Sequence, residues 1–280
     1  MSASPATSSA ATRLWRPAAH RNLRNQWSKL SNYRKQWIAA SSAGRSHATS
    51  LVNSFLSLKY IPHMELGVLS DMLNIRKKAS DKLCKQQDSH RSNLLSSYKE
   101  MVGILVELVN ASRSMRCYIK ISSSPLLQFS SSPEDANDAG DGGDIPVCNF
   151  WTVSTFEQMA EELVEMFRRE VILKRLLVLE LVALSTEVPQ PDKLSWSTEL
   201  YHGESEDLAK CCLYSTETPG PVPPCLRDNE SVTPTLSHTA QPTEETLQIY
   251  LTTWLTEVNI DTHRVDEILS LAGEEMRVTL

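Results

Sequence analysis

His202, Cys211, Cys212, Cys225 and His238 form the densest group in this sequence with the chemistry to hold a metal ion. A tetrahedral zinc site draws on thiolates at C-x-x-C spacing, which lets two of them bite one ion, and no pair of these cysteines has it. The stretch that carries them is rich in proline and has no apolar period, so neither a metal nor any other cofactor is expected. A glycine-rich phosphate loop, a G-x-S-x-G elbow and an H-E-x-x-H helix are all missing from the sequence. Nine glycines in 280 residues are few for a loop-rich catalytic scaffold. The chain therefore reads as a non-enzyme.

What remains is the chemistry of recognition. Met166, Arg168, Arg169, Leu173, Lys174 and Arg175 lie on one helical stretch and, with Trp254, are the candidate partner-binding residues; the competing reading is a solvated face beside a core. Arg21-Asn22-Leu23 and Arg175-Leu176-Leu177 fit the short R-x-L pattern through which substrates dock on cyclins, but both leucines fall on apolar helix faces, which favours core packing. Ser124-Pro125, Ser132-Pro133, Thr218-Pro219 and Thr233-Pro234 are minimal proline-directed sites, with Ser124 and Ser132 the candidate phosphorylation positions. Trp15, Trp27, Tyr33 and Trp37 stand among arginines and lysines, a combination that stacks on and neutralises nucleic acid. Since Trp27 and Trp37 also sit on an apolar seam, this leaves nonspecific phosphate attraction.

The charge is divided unevenly. Residues 1–120 carry 19 Lys/Arg against 6 Asp/Glu, and residues 121–280 carry 9 against 28. Such asymmetry suits either a nucleic-acid or acidic partner for the first half or attraction between the halves. The six cysteines show no disulfide-framework density, and no charged leader precedes an apolar segment, so reduced thiols in a nuclear or cytosolic protein are expected. With no acid before Glu65, the Ser, Ala and Arg of residues 1–24 also have the composition of a mitochondrial transit peptide, against the plainer reading of a disordered basic tail.

The element that must position the candidate ridge is one long central helix from Ser154 to Leu184. Ser154 and Glu157 have the spacing of a capping box. Phe156, Ala160, Leu163, Phe167, Leu177, Leu181 and Leu184 follow alternating steps of four and three, interrupted by Glu170 and Lys174. The pairs Glu165/Arg169 and Glu170/Lys174 add i,i+4 support. The apolar run from Val171 holds 14 residues and three charges, too short for a membrane span.

Leu23, Trp27, Leu30, Trp37, Ala48, Leu51, Phe55 and Leu58 share a similar register from about Ala19 to Tyr60, with small residues from Ala39 to Ala48 that permit either a close neighbour or a bend. Pro62 stops this helix. A second seam, Leu94, Tyr98, Met101, Leu105, Leu108, Ser112, Met115 and Ile119, predicts a helix over about 77–119 and an antiparallel hairpin. The C-terminal face is Leu247, Leu251, Trp254, Leu255 and Val258, followed by a helix capped by Asp261 and closed at Gly273.

The fold class is thus all-α, a coiled-coil-like bundle of long helices with disordered linkers. Its parts are a basic tail at 1–18, a helical hairpin at 19–121, a flexible acidic linker at 122–147, the central helix at 148–186, a disordered insertion at 187–243 and C-terminal helices at 244–280. The insertion holds eight of the chain's 14 prolines, and its removal is expected to leave the fold intact.

The central helix with its approach, CNFWTVSTFEQMAEELVEMFRREVILKRLLVLEL, resembles the cyclin-dependent kinase 2-interacting protein family, most densely at EMFRREVILKR. The resemblance extends to LQIYLTTWLTEV and more loosely to NQWSKLSNYRKQW and LVNSFLSLKYIP, and skips 187–243. It implies a non-enzymatic nuclear adaptor associated with cell-cycle and replication kinases, checkpoint signalling and an AAA-type ATPase complex in DNA replication and ribosome maturation. The alternative class is a basic helical module that binds RNA or DNA.

Overall fold

The computed structural model describes residues 5–120, 127–133, 138–184, 195–217, 219–227, 230–231 and 242–280, with the backbone alone at 5–12, 225–227 and 230–231. The protein is all-α. Helices α1 (Pro5–Tyr60), α2 (Ile75–Arg113) and α3 (Val153–Val182) carry most of the chain, followed by α4 (Glu204–Lys210), α5 (Glu244–Thr256) and α6 (Thr262–Met276). Short two-stranded ribbons pair β1 (Tyr118–Lys120) with β2 (Gln128–Ser130), β3 (Tyr214–Ser215) with β4 (Gly220–Pro221) and β5 (Cys225–Arg227) with β6 (Glu230–Ser231). Two compact units divide these elements. Unit 1 takes residues 1–36, 105–167 and 260–280, and unit 2 takes 37–104 and 168–259.

Unit 1 begins where a disordered tail was expected. α1 starts at Pro5, and Trp15 is buried with its Nε1 donating to the Cys117 carbonyl at 2.7 Å. The alanines of residues 6–19 favour helix, and one tryptophan gives that helix something to bury; composition weighted the serines and arginines and missed the anchor. Below it Leu23, Trp27 and Leu30 pack in the core, where Trp27 meets Phe156 edge-on at 6.1 Å. Asn22 meets the end of α2 and Tyr33 meets Glu107 further back along it, so α1 and α2 run antiparallel as the seams predict.

The apolar stepping of the second seam continues through Ile119, but α2 ends at Arg113. Asn22 Nδ2 donates to the carbonyls of Ser114, Met115 and Arg116 at 2.8, 3.0 and 3.2 Å, satisfying acceptors that a longer helix would have used itself. Ile119 instead pairs with Phe129 in a ribbon. Part of the supposed flexible linker is therefore folded: Asp138 accepts from Ile119 N at 2.5 Å, and Cys117 N donates to Gly140 O at 3.3 Å. Gly142, at φ +65, lies where a Cβ would come 2.5 Å from the Trp15 ring, so only glycine fits both the backbone and the indole.

α3 starts two residues earlier than the capping box predicts. Thr152 takes the role, its Oγ1 accepting from Thr155 N at 3.3 Å, while Glu157 is drawn away by Arg116, which binds it through Nε and Nη2 at 2.8 and 2.9 Å. A bidentate guanidinium outcompetes a single backbone amide for that carboxylate. Asp261 caps α6 as predicted, accepting from Arg264 N at 3.0 Å. The helix runs through Gly273 to Met276 and closes in a Schellman motif, with Val278 N on Gly273 O at 2.9 Å and Arg277 N on Glu274 O at 3.1 Å.

Unit 2 packs Trp37, Ala48, Leu51 and Phe55 of α1 and Leu94, Tyr98 and Met101 of α2 with Val171, Ile172 and Val178 of α3 in its core. The small residues of α1 serve close approach: a Cβ on Gly44 would come 2.6 Å from Trp254 Cζ2. Two sequence readings fail here. Leu255 and Val258 of the C-terminal face are exposed, at 50% and 62%. The insertion holds α4 and two ribbons and buries Trp196, Leu208, Cys211 and Leu213; the description of 187–243 as disordered is corrected for 195–217, 219–227 and 230–231.

Candidate functional site

The residues proposed as a binding ridge meet different fates. Lys174, Arg175 and Trp254 are buried to within 1% of full exclusion, Met166, Arg168 and Leu173 are half-buried, and Arg169 is exposed. Lys174, Arg175 and Trp254 are thus taken out of the candidate surface, and the physical reason lies in two charged clusters inside unit 2.

The first is built on Lys174. Its Nζ donates to the Trp254 carbonyl at 2.5 Å, stands 4.6 Å from the centre of the Trp254 ring, and lies 3.2 Å from Glu170 Oε1 and 3.9 Å from Glu257 Oε1. Glu257, left-handed at the end of α5, also accepts from Trp37 Nε1 at 3.1 Å and Ser41 Oγ at 2.5 Å. Glu170 Oε2 accepts from the backbone and side chain of Asn259, both at 3.1 Å, and Trp254 Nε1 donates to Ser41 O at 3.0 Å. Burial holds the Lys174 pKa below its ordinary value, against the pull of Glu170 and Glu257. The i,i+4 pair that looks like a surface ion pair in sequence is therefore the buried bolt between α3 and α5.

The second is built on Arg175, which sits on α3 beside the folded part of the insertion. Nε binds Glu204 Oε1 at 2.9 Å, Nη1 the Trp196 carbonyl at 2.7 Å, and Nη2 the Thr198 carbonyl at 2.7 Å. Its guanidinium carbon lies 4.7 Å from the centre of the Trp196 ring. Glu204 accepts in addition from Tyr98 OH and Leu200 N, both at 2.7 Å. Burial, then the Glu204 carboxylate, pushes the Tyr98 phenol well above its ordinary pKa. The folded part of the insertion is thus held to α3 by this one arginine, which argues against its expected dispensability.

Neither cluster pairs a nucleophile with a base. Of the zinc candidates, Cys211 is buried while His202 and Cys212 are exposed; the Cys225 side chain and His238 lie outside the described residues, among which no three metal-ligating side chains converge. Leu23 and Leu177 of the R-x-L patterns are both buried. Ser132 is exposed, and Ser124, Thr218 and Thr233 lie outside the described residues. No helix among the described residues is long and apolar enough to cross a membrane.

The surface that stands out is the tip between α1 and α2. Its two single-turn 3₁₀ helices, Ile61–His63 and Gly67–Leu69, bury no residue. Tyr60, Met64, Val68, Leu69, Met72 and Leu73 are all exposed, Val68 at 94% and Leu73 at 86%. Lys59, Arg76, Lys77 and Lys78 surround them, also exposed. In sequence Met64, Leu66, Val68, Leu69, Met72, Leu73 and Ile75 are ambiguous, and the stretch 63–78 reads as a connecting turn followed by the start of the second helix.

These elements define an all-α protein whose charged residues lock helices together rather than gather around a cleft. Compared with models of known families and with curated proteins, the chain matches none.

Proposed function

We propose that the protein is a non-enzymatic helical adaptor that engages protein partners through the tip joining α1 and α2. The observation that carries the reading is the group of six exposed apolar side chains from Tyr60 to Leu73, since contiguous apolar surface of this kind marks contact sites. The resemblance to the cyclin-dependent kinase 2-interacting protein family suggests the partners: a cyclin-dependent kinase, replication and checkpoint proteins, and an AAA-type ATPase complex, met in the nucleus.

The test is capture of partners by the tagged full chain from nuclease-treated extract, with and without Val68→Asp/Leu73→Asp. Both side chains are solvent-exposed, so the urea midpoint should stay within error of wild type while partner recovery falls at least tenfold. An unchanged partner set with the double variant would remove the tip from the adaptor role.

A further inference from the structure

In unit 1 a second surface has a different character. α1 spans 56 residues without one Asp or Glu. At 100° per residue, Arg13, Arg21, Arg24 and Lys35 fall within a sector of about 80° on its outer side. All four are exposed, and none is engaged by an acid or a hydrogen bond among the described residues. Elsewhere in unit 1 Arg34 is paired with Asp266, Arg116 with Glu157 and Arg264 with Glu162. Between Arg13 and Lys35 the helix rises about 33 Å, close to one turn of a nucleic-acid duplex at about 34 Å.

Midway along this line the side chains of His20, Arg21, Arg24 and Ser28 form one wall of an open groove of about 580 Å³, and residues 278–280 form the other. Partial burial and, after it, the charges of Arg24 and Arg16 lower the His20 pKa. No large apolar side chain falls inside the sector itself; the exposed Leu14 and Ile38 lie about 20° outside its two edges. A protein partner docking on a helix needs apolar anchors, whereas phosphates need only cations, and the arginine fork that supplies three of the four here matches a phosphate bidentately.

We propose that the outer face of α1 from Arg13 to Lys35 binds the phosphate backbone of a nucleic acid. The contact is independent of base sequence, since the face offers cations and no rigid donor–acceptor pattern to a groove edge.

Fluorescence anisotropy of the full chain with a labelled 20-base-pair DNA duplex, a 20-nucleotide RNA and a 20-residue polyglutamate tests this. Four phosphate contacts give a slope of log K against log salt of about −3.6 on duplex DNA, at about 0.9 per contact, which is a loss on the order of hundredfold between 50 and 200 mM KCl. Arg21→Gln/Arg24→Gln should weaken duplex binding at least tenfold and flatten the slope by about 1.8. Lys29→Gln removes one charge from the same helix about 120° away and should change neither. The DNA and RNA arms show which nucleic acid is preferred, and binding of either supports the proposal. No binding at 50 mM KCl, polyglutamate bound as tightly as the duplex, or Lys29→Gln acting as strongly as the arginine pair would each overturn it.

Discussion

Arg175 shows how one side chain decides whether neighbouring sequence is folded. Its guanidinium meets Glu204 and two carbonyls in a region closed to water. A buried pair adds little net stability over an apolar substitute, but removal of one member leaves the other charge stranded. Arg175→Met should therefore cost about 3–5 kcal/mol, a large part of a typical domain stability of about 5–15 kcal/mol. Arg175→Met/Glu204→Gln should recover much of that loss, because the remaining group is neutral and still hydrogen-bonded by Tyr98. Urea midpoints of the two variants decide it; equal midpoints for the single variant and wild type would show that the cluster clamps nothing.

At the scale of elements, glycine tests separate packing from propensity. Gly44→Ala places a methyl against Trp254 and should destabilise by about 1–3 kcal/mol through overpacking. Gly103→Ala in α2 meets nothing within 4 Å and should stabilise by about 0.4–1 kcal/mol. Thermal melts that move in opposite directions confirm the pair, and a stabilised Gly44→Ala would place the Trp254 ring elsewhere. The same distinction explains what was legible. Seams such as Leu94, Tyr98, Met101 and Leu105 announce their helix because each repeats a local period. Thr152 against Ser154 as the cap, the end of α2 at Arg113 and the fold around Trp196 were decided by partners 21 to 94 residues away, including Asn22 and Arg175. Glu170 and Lys174, the lone charges on an apolar seam, were the available hint of a buried cluster. The exposed tip showed in sequence only as a connecting turn.

At the scale of the whole molecule, each unit is assembled from separated stretches. Any cut near residue 120 divides both. Fragments 1–120 and 121–280 should each lack a cooperative melt alone, yet co-purify when expressed together. They carry opposite charge excesses and share pairs such as Arg34 with Asp266 and Arg116 with Glu157. A cooperative melt from either fragment alone would count against the division. The discontinuity also bears on how the protein is made. Residues 1–36 leave the ribosome well before residues 260–280, with which their unit closes. At about 5–20 residues per second the interval is on the order of 10–45 s. Trp15 and Trp27 meet partners such as Cys117 and Phe156 earlier, but the unit stays open until its last stretch is made, so the nascent chain is a ready client for a chaperone.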